Sequence, residues 1–253
     1  MKTNSFDYNN YYHKISSIYN DVRLDSNDDF AMTIDNILNA CQGKVGTLLD
    51  VGCGTGKYGE ALEKLGFVVT GIDKSPSQIQ EAQKVIDCQL GNVCQLPFDD
   101  NSFDICIMII MIHHLCKDER IQAFKEVYRV LKPNGILIIK TASHEDLEYR
   151  ISSRFFPEAL SIDKKRYPTI QSLIDEMQWF DTVVCKPVVL TTKFDVAEMI
   201  KKLEMRRTTN LGMLTNEELQ NGLQRFKTYY KDISVASRES HYTFIIATKG
   251  KTK

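Results

Sequence analysis

The sequence predicts an α/β fold built on a doubly wound, mostly parallel sheet. Over the first 140 residues, apolar strand-like runs alternate with amphipathic helix-like segments, which is the pattern of parallel strands joined by crossover helices. The run at residues 105–112 is continuously apolar, as is typical of a strand buried on both faces at the centre of such a sheet. Two further strand-like segments follow near the end of the chain, at residues 183–189 and 241–249.

Size and composition are those of one large domain that can bury a full core. The chain has 253 residues, with 32 basic and 33 acidic side chains, so no overall charge attracts it to nucleic acid. Its seven cysteines include no C-x-x-C pair, and the N-terminus has no apolar signal-peptide core, which favours a reducing cytoplasm. The longest apolar run is too short to span a bilayer, so we expect no membrane partner.

The N-terminal region divides into an arm and a helix. Residues 1–28 are rich in Tyr, Asn and Asp, and we expect either a mobile terminus or a strap that packs on the core. Apolar residues at helical spacing follow from Phe30 to Cys41. Asp28 or Asp29 is suited to cap this helix.

The next element ends in a glycine-rich turn. An apolar strand at residues 45–51 runs into Gly52, Gly54 and Gly56, and a helix-like segment follows. Glycine allows a tight turn and a close approach of a ligand to the backbone, and the helix start offers unpaired N–H groups. A dinucleotide-binding turn, G-x-G-x-x-G, requires a glycine where this chain has Lys57. Asp50, two positions before Gly52, favours a ligand that carries an ammonium group.

The segment LLDVGCGTGKYGEAL, residues 48–62, resembles the first motif of the class I S-adenosylmethionine (SAM) dependent methyltransferases. The resemblance is to the small-molecule type of ubiquinone and menaquinone biosynthesis, and it extends well over residues 45–141. It implies a Rossmann-like sheet of seven strands with an antiparallel last strand. It also implies SAM as cofactor and S-adenosylhomocysteine as product.

The second strand, predicted at residues 67–73, places an acid at its carboxyl end. Asp73 lies where a Rossmann-like fold has its ribose-binding acid, since one carboxylate accepts hydrogen bonds from both sugar hydroxyls. The alternative is a solvated aspartate at a strand end. Ser75 and Pro76 then supply the cap and first turn of the next helix.

A short third strand, predicted at residues 89–93, is followed by a segment, LPFDDNSFD, that is similar to the family pattern. The family commonly has aspartate where this chain has Asn92. The resemblance implies contact between adenine and both the Asn92 amide and the Val93 backbone N–H. The alternative for Asn92 is a plain turn residue.

The central apolar strand ends at His113 and His114, near the expected position of the methyl group. One of these histidines is a candidate general base, and the alternative is that both orient the loop. A metal site requires a further ligand, for which only Asp118 or His144 is available, so we expect no metal. A helix then runs to Pro133-Asn134-Gly135, and the next strand covers residues 136–141.

The remaining third of the chain is expected to hold the acceptor. Around the terminal strands, residues 181–190 and 241–249, we expect two helical insertions, residues 142–180 and 191–240, that cover the cofactor as a lid. Residues 29–141 form the cofactor-binding core of this single domain, residues 1–253. The candidate substrate residues are His144, Tyr149, Arg154, Arg166 and Tyr167.

The resemblance also implies the cofactor-binding set, including two residues of the arm near the methionine end of SAM. That set is Tyr19, Arg23, Asp50, Gly52, Cys53, Gly54, Gly56, Asp73, Lys74, Asn92, Val93 and Ile109. Ile109 is expected to act through its backbone, and Cys53 as a small loop residue rather than a nucleophile.

These patterns together predict an enzyme that transfers the SAM methyl group to a small-molecule acceptor by in-line displacement. The methylated atom, O, N or C, stays open, as does the oligomeric state. The alternatives are a SAM-binding protein without turnover, an NAD(P)-dependent oxidoreductase, and a transfer-RNA methyltransferase. The balanced charge disfavours the last of these.

Overall fold

The centre of the computed structural model, which describes residues 27–206 and 208–251, is a seven-stranded sheet in the order β3-β2-β1-β4-β5-β7-β6. The strands are β1 Thr47–Val51, β2 Val68–Asp73, β3 Cys88–Leu90, β4 Phe103–Ile109, β5 Leu131–Thr141, β6 Thr182–Asp195 and β7 Val235–Thr248. Strands β1 to β5 pair in parallel, whereas β7 runs antiparallel to both β5 and β6. The predicted α/β class, parallel core and antiparallel last strand are confirmed.

Helices connect these strands in chain order. They are α1 Asn27–Ala40, α2 Lys57–Lys64, α3 Pro76–Ala82, α4 Lys117–Val130, α5 His144–Glu148, α6 Ile151–Phe155, α7 Pro157–Arg166, α8 Ile170–Glu176, α9 Val196–Glu204, α10 Thr209–Gly212 and α11 Asn216–Tyr229. Among the described helices, none is both long and apolar enough to cross a membrane.

The sheet is apolar on both faces because successive side chains of a strand point to opposite sides. Leu48 of β1 packs with Ile37 of α1 and Leu62 of α2, whereas the adjacent Leu49 packs on the other face with Phe124 and Val127 of α4. All six side chains are fully buried. The two layers of helices therefore fix the sheet from both sides.

Strand order determines where a ligand can bind. Strand β1 lies between β2 and β4, so the connections that leave β1 and β4 diverge at the carboxyl ends of these strands. In open parallel sheets, ligands bind in the crevice at this switch point. The glycine turn after β1 lies at that crevice.

Strand β4 ends at Ile109, three residues before the end of the apolar run at residues 105–112 that predicted it. Ile110 has a left-handed backbone with φ of 52°, which a β-branched residue rarely adopts. Residues Ile112–His114 then form a 3-10 turn. The backbone therefore leaves the sheet at Ile110 and directs the segment after it over the end of β1.

The terminal hairpin is longer than predicted. Strands β6 and β7 pair without interruption from Thr182–Thr248 to Asp195–Val235, so the predicted insertion boundary at residues 190–191 lies inside a strand. Beyond Val189, exposed strand residues alternate with partly or fully buried ones, because this part of the ribbon packs on the helices of the insertions through residues such as Phe194. Its polar sequence gave no apolar periodicity from which to predict a strand.

The helical insertions have an apolar core of their own, which we call the insertion core. It joins α6, α9 and α11 through buried residues that include Phe155, Leu203 and Phe226. Gly222 of α11 lies against the Phe156 ring, and a Cβ at this position would be 2.0 Å from that ring. The second insertion contains the two predicted helices and, between them, the short helix α10.

A buried ion pair attaches α1 to the sheet. The Lys140 Nζ of β5 lies 2.9 and 3.0 Å from the two Asp29 carboxylate oxygens and 2.9 Å from Thr33 Oγ1. Lys140 and Asp29 are 1% and 2% exposed, and the ammonium lies 3.9 Å from the centre of the Tyr242 ring. An ion pair at this depth constrains the position of α1, because separating its partners leaves a charge in an apolar layer.

We expect Lys140→Met to lower the free energy of unfolding by about 3–5 kcal/mol, because it removes one partner of a buried ion pair. Urea denaturation measures this change. The control is Lys64→Met, which removes a lysine that is 71% exposed from its pair with Glu60 and is expected to change stability by under about 0.5 kcal/mol. Equal effects of the two substitutions would contradict the structural role of the Lys140 pair.

Candidate functional site

A cavity of about 330 Å³ opens at the switch point, beyond the carboxyl ends of β1, β2 and β4. Its lining comes from the segments that follow these strands. The lining residues are Asp50, Gly52, Cys53, Gly54, Thr55, Lys57, Tyr58, Ile72, Asp73, Lys74, Ser75, Gln78, Leu90, Gly91, Asn92, Val93, Ile109, Ile110, Met111, His114, Leu115 and Glu119.

The glycine turn after β1 forms the floor of this cavity. The Gly52 and Cys53 N–H groups donate to the Ile72 carbonyl of β2 at 2.7 and 3.1 Å. Gly52 has φ of 74°, and a Cβ there would be 3.1 Å from the Met111 side chain. A larger residue would strain the turn and press against Met111, so glycine at this position lets the segment after β4 approach the turn closely.

Asp73 is held by backbone donors from two turns. Its Oδ2 accepts from the Gly54 N–H at 3.0 Å, and its Oδ1 accepts from the Ser75 N–H at 2.9 Å. Burial raises the pKa of this carboxyl, whereas the bonds from Ser75 and Gly54 lower it. The carboxylate is thereby oriented at the cavity wall, and each oxygen retains lone pairs for a ligand hydroxyl.

Asp50 is a buried acid on the same cavity. It is 2% exposed, and its Oδ2 has no hydrogen-bond partner among the described residues. Burial, and then the negative charge of Asp73, raise the pKa of Asp50 to about 7. A buried acceptor without a partner costs free energy, and a cationic ligand group would remove that cost by supplying a charged donor.

The third strand contributes the far wall of the cavity. The Asn92 Oδ1 accepts from the Cys94 N–H at 2.9 Å, so Asn92 shapes a turn and its amide also lines the cavity. Val93 is buried, whereas Leu90 is 55% exposed and presents an apolar surface to the cavity. An apolar wall next to an amide suits a heteroaromatic ring with polar edges.

The two histidines have different surroundings. His113 is buried and stacks on the Tyr167 ring of the first insertion, with ring centres 4.1 Å apart. His114 lines the cavity. Burial, and then the positive charges of Arg166 and Lys74, lower the pKa of His114 to about 3. His114 is therefore neutral near pH 7, and a side chain of such low pKa is a weak general base.

The predicted substrate residues do not line this cavity and instead form contacts within the insertions. Tyr167 is buried, and its hydroxyl accepts from Arg150 at 3.1 Å. His144 Nε2 lies 2.9 Å from the Tyr167 carbonyl oxygen, and Arg166 lies 3.4 Å from the buried Asp163 carboxylate. Tyr167 contacts the site through its stack on His113, and the positive charge of Arg166 acts on His114.

Tyr149 and Arg154 lie farther along the insertions. The Tyr149 ring stacks on His241 of β7 at 3.6 Å between ring centres, and Arg154 donates to the Tyr229 hydroxyl at 2.7 Å. Of the predicted cofactor-binding residues, Tyr19 and Arg23 lie outside the described residues. Nine of the other ten line the cavity; the exception is Gly56, which packs against the Val85 and Ile86 side chains instead.

Sequence reasoning missed several lining residues, among them Gln78, Met111 and Glu119. Each follows a strand at the carboxyl edge of the sheet: Gln78 lies in α3 after β2, and Met111 and Glu119 follow β4. Their placement after parallel strands was the available signal, because the carboxyl ends of these strands meet at one edge.

The described part of the chain offers neither a reactive thiol at Cys53 nor a three-ligand metal cluster. Burial, and then the charges of Asp50 and Asp73, raise the pKa of the Cys53 thiol, so Cys53 stays protonated and unreactive. Among residues 27–206 and 208–251, no cluster of three or more His, Cys, Asp or Glu side chains is arranged to hold a metal ion.

The residues at the cavity fit the cofactor that the sequence resemblance implies. Asp50 offers a buried acceptor for an ammonium group, Asp73 an oriented carboxylate for a diol, and Leu90 with Val93 an apolar wall for a ring. The glycine turn, through Gly52 and Gly54, lines the same cavity.

Residues 49–139 match the family described as "Methyltransferase domain". The chain is 28% identical over 182 residues to the malonyl-[acyl-carrier protein] O-methyltransferase of Erwinia billingiae, covering 68% of this chain and 71% of that protein. It is 38% identical over 104 residues to the demethylmenaquinone methyltransferase of Tropheryma whipplei, covering 38% and 42% of the two chains. The matches confirm the methyltransferase resemblance.

A solved structure shows the same fold. It is that of a proposed methyltransferase from an antibiotic biosynthesis pathway of Anabaena variabilis, with a TM-score of 0.66 and 18% sequence identity. The superposition covers 86% of this chain and 97% of the other. At this identity, the likeness concerns the fold.

The raised pKa of Asp50 predicts pH-dependent cofactor binding. Below about pH 7 the ligand-free carboxyl is protonated, whereas an ammonium ligand favours its ionised form. We therefore expect the affinity for S-adenosylhomocysteine to rise by about tenfold between pH 5.5 and pH 7, where the ligand amine stays charged. Isothermal titration calorimetry measures this change.

Asp50→Asn is the matched control, since it removes the titrating group and keeps the side-chain shape. Its affinity is expected to be lower at pH 7 and flat over the same pH range. The pKa of Asp50 in the folded protein lies above its value in the unfolded chain, so the contribution of Asp50 to folding stability falls as the pH rises toward 7. Asp50→Asn should therefore raise the Tm of the ligand-free protein at pH 8. A slope that survives this substitution would rule out Asp50 as its source.

Proposed function

We propose that this chain, which belongs to the class I S-adenosylmethionine-dependent methyltransferases, transfers the SAM methyl group to a small-molecule acceptor. The observation that carries the proposal is the pair of acids, Asp50 and Asp73, on either side of a bare glycine turn in one cavity at the switch point. A cation and a diol within one ligand match these two acids.

Each part of the cofactor has a partner among the cavity residues. The oriented Asp73 carboxylate accepts from the ribose hydroxyls. Asp50, ionised in the complex, accepts from the methionine ammonium. Asn92 and the Val93 backbone bind the polar edge of the adenine ring, and Leu90 covers the apolar face of that ring.

Bound SAM supplies a methyl group attached to a positively charged sulfur. The protein contributes position and water exclusion, because nucleophile, methyl carbon and sulfur must be nearly collinear. The segment from Ile109 to His114, which crosses the cavity after β4, borders the place where the acceptor approaches. Ile110 and Met111 provide apolar surface there.

Proton transfer is not assigned to one residue. His114 has a pKa of about 3. At neutral pH it therefore accepts a hydrogen bond from the nucleophile of the substrate and does not remove its proton completely. His113 is buried under Tyr167 and supports the position of His114. A carboxylate or neutral amine acceptor requires no base, which fits a site without a strong one.

The insertions act as a lid that is joined to the cavity wall. Arg120 of α4 forms a two-pronged pair with Glu176 of α8, with both N–O distances 2.7 Å, and both side chains are buried. The Arg120 guanidinium also donates to the Leu115 carbonyl at 3.0 Å, and Leu115 lines the cavity. A shift of the first insertion would therefore move the cavity wall.

The acceptor class follows from the relatives and the charge. The matched relatives act on a malonyl group of a carrier protein and on demethylmenaquinone by their names, and we extend only the general class, a metabolite-sized acceptor, to this chain. The near-neutral net charge disfavours a nucleic-acid substrate. All seven cysteines are free thiols, and we assign the protein to the cytoplasm.

The proposal is tested by incubating the protein with SAM and a panel of carboxylate, phenol, amine and quinol acceptors. Formation of S-adenosylhomocysteine above the rate without acceptor, together with an acceptor mass increase of one methylene, is the expected result. Binding of SAM without turnover across the panel would favour a binding protein. Absence of SAM and S-adenosylhomocysteine binding in calorimetry would refute the proposal.

We expect Asp73→Ala to weaken S-adenosylhomocysteine binding by at least about tenfold, because it removes charge-assisted hydrogen bonds to the ribose. Calorimetry at pH 7 measures the change. Asp99→Ala, which removes an exposed acid outside the cavity, is the control and is expected to bind as the wild type does. Unchanged affinity of Asp73→Ala would exclude the ribose role.

A further inference from the structure

Gln78 of α3 has a buried amide at the cavity that the proposed binding scheme does not use. The residue is 3% exposed and lines the cavity. Both its Oε1 and its Nε2 are closed to solvent and have no hydrogen-bond partner among the described residues. An unpaired buried amide is costly at both its donor and its acceptor, so its position next to a ligand cavity calls for a ligand group that pairs with it.

The position of this amide is set by the turn that holds Asp73. A Cβ at Gly54 would lie 3.5 Å from Gln78 Oε1, so the amide lies beside the Gly54 backbone. The Gly54 N–H in turn donates to Asp73 Oδ2 at 3.0 Å, and the Ser75 N–H, at the start of α3, donates to Asp73 Oδ1. Gln78 and Asp73 thus border the same part of the cavity, from the helix side and the strand side.

The chemistry of an amide next to a carboxylate selects a hydroxyl. Asp73 is an acceptor, so a hydroxyl bound there uses its proton for the carboxylate. Its oxygen still has lone pairs, which accept from an N–H group such as Gln78 Nε2. Neither an ammonium group, which has no lone pair, nor an apolar ring atom can bridge a carboxylate and an amide in this way.

We infer that Gln78 is a further cofactor-binding residue. Its amide donates a hydrogen bond to the oxygen of a ribose hydroxyl, and the same hydroxyl donates its proton to the Asp73 carboxylate. This inference rests on the proposed function, since it takes SAM as the ligand. Rotation about the terminal torsion, which has a broad energy minimum in glutamine, exchanges the positions of Oε1 and Nε2 and so allows the N–H group to face a ligand. In the ligand-free protein the same amide is a source of instability.

The test compares Gln78→Met with the wild type, because methionine keeps the length and approximate volume of glutamine without its polar atoms. Calorimetry at pH 7 measures binding of S-adenosylhomocysteine and of its 2′-deoxy and 3′-deoxy analogues. We expect the substitution to weaken S-adenosylhomocysteine binding by about threefold to tenfold. For the analogue that lacks the contacted hydroxyl, it should have no effect.

Thermal unfolding of the ligand-free protein provides a second readout. Removing an unpaired buried amide should leave the Tm of Gln78→Met equal to or above that of the wild type. The control is Gln83→Met at the end of α3, where the side chain is exposed, and it should change neither the Tm nor the affinity.

Two results would overturn the inference: unchanged S-adenosylhomocysteine affinity in Gln78→Met, or an equal loss for S-adenosylhomocysteine and both deoxy analogues. The second result would mean that the substitution perturbs the cavity rather than a specific hydrogen bond. Failure of the proposed function is distinguishable from both, because in that case the wild-type protein itself does not bind S-adenosylhomocysteine.

Discussion

The bonds that Asp73 accepts from Gly54 and Ser75 are the constraint on which the site depends. They join the turn after β1 to the turn after β2, so the carboxylate fixes the relative position of two segments that the sheet alone leaves free. The same bonds aim the remaining lone pairs at the cavity. Structural and ligand-binding roles therefore reside in one side chain, and the ligand site follows directly from the packing of parallel strands.

The proximity of Asp50 and Asp73 at the cavity destabilises the ligand-free protein. Asp50 is buried close to a second carboxylate, which is why its pKa is raised to about 7, and Gln78 nearby has an amide without a partner. Both features are costs for a folded protein that binds nothing. They become favourable contacts once a ligand with a cation and hydroxyl groups is present, as is common at functional sites.

The cavity at the switch point could be predicted from the sequence because its signals are local. A strand, three glycines and an acid before them lie within one short segment, and Asp73 ends the next strand, so periodicity and spacing located the cavity, whereas the resemblance to the methyltransferases supplied the ligand. The surroundings of Gln78 and the stack of Tyr167 on His113 could not be predicted, since they bring together residues distant in sequence. The length of the β6–β7 hairpin was also missed, because the residues of β6 beyond Val189 are mostly polar and give a weak apolar alternation.

The insertion core is packed separately from the two helical layers that cover the sheet, and this separation affects which substitutions the protein can accommodate. Phe156, Leu203 and Phe226 pack among themselves rather than into the two layers that cover the sheet. Substitutions among these core residues can therefore be absorbed within the insertions, away from the Arg120–Glu176 pair and the Tyr167–His113 stack that join the insertions to the cavity wall. Under the proposed function, this division lets the acceptor-facing part of the chain diverge while the methyl-donor site is kept.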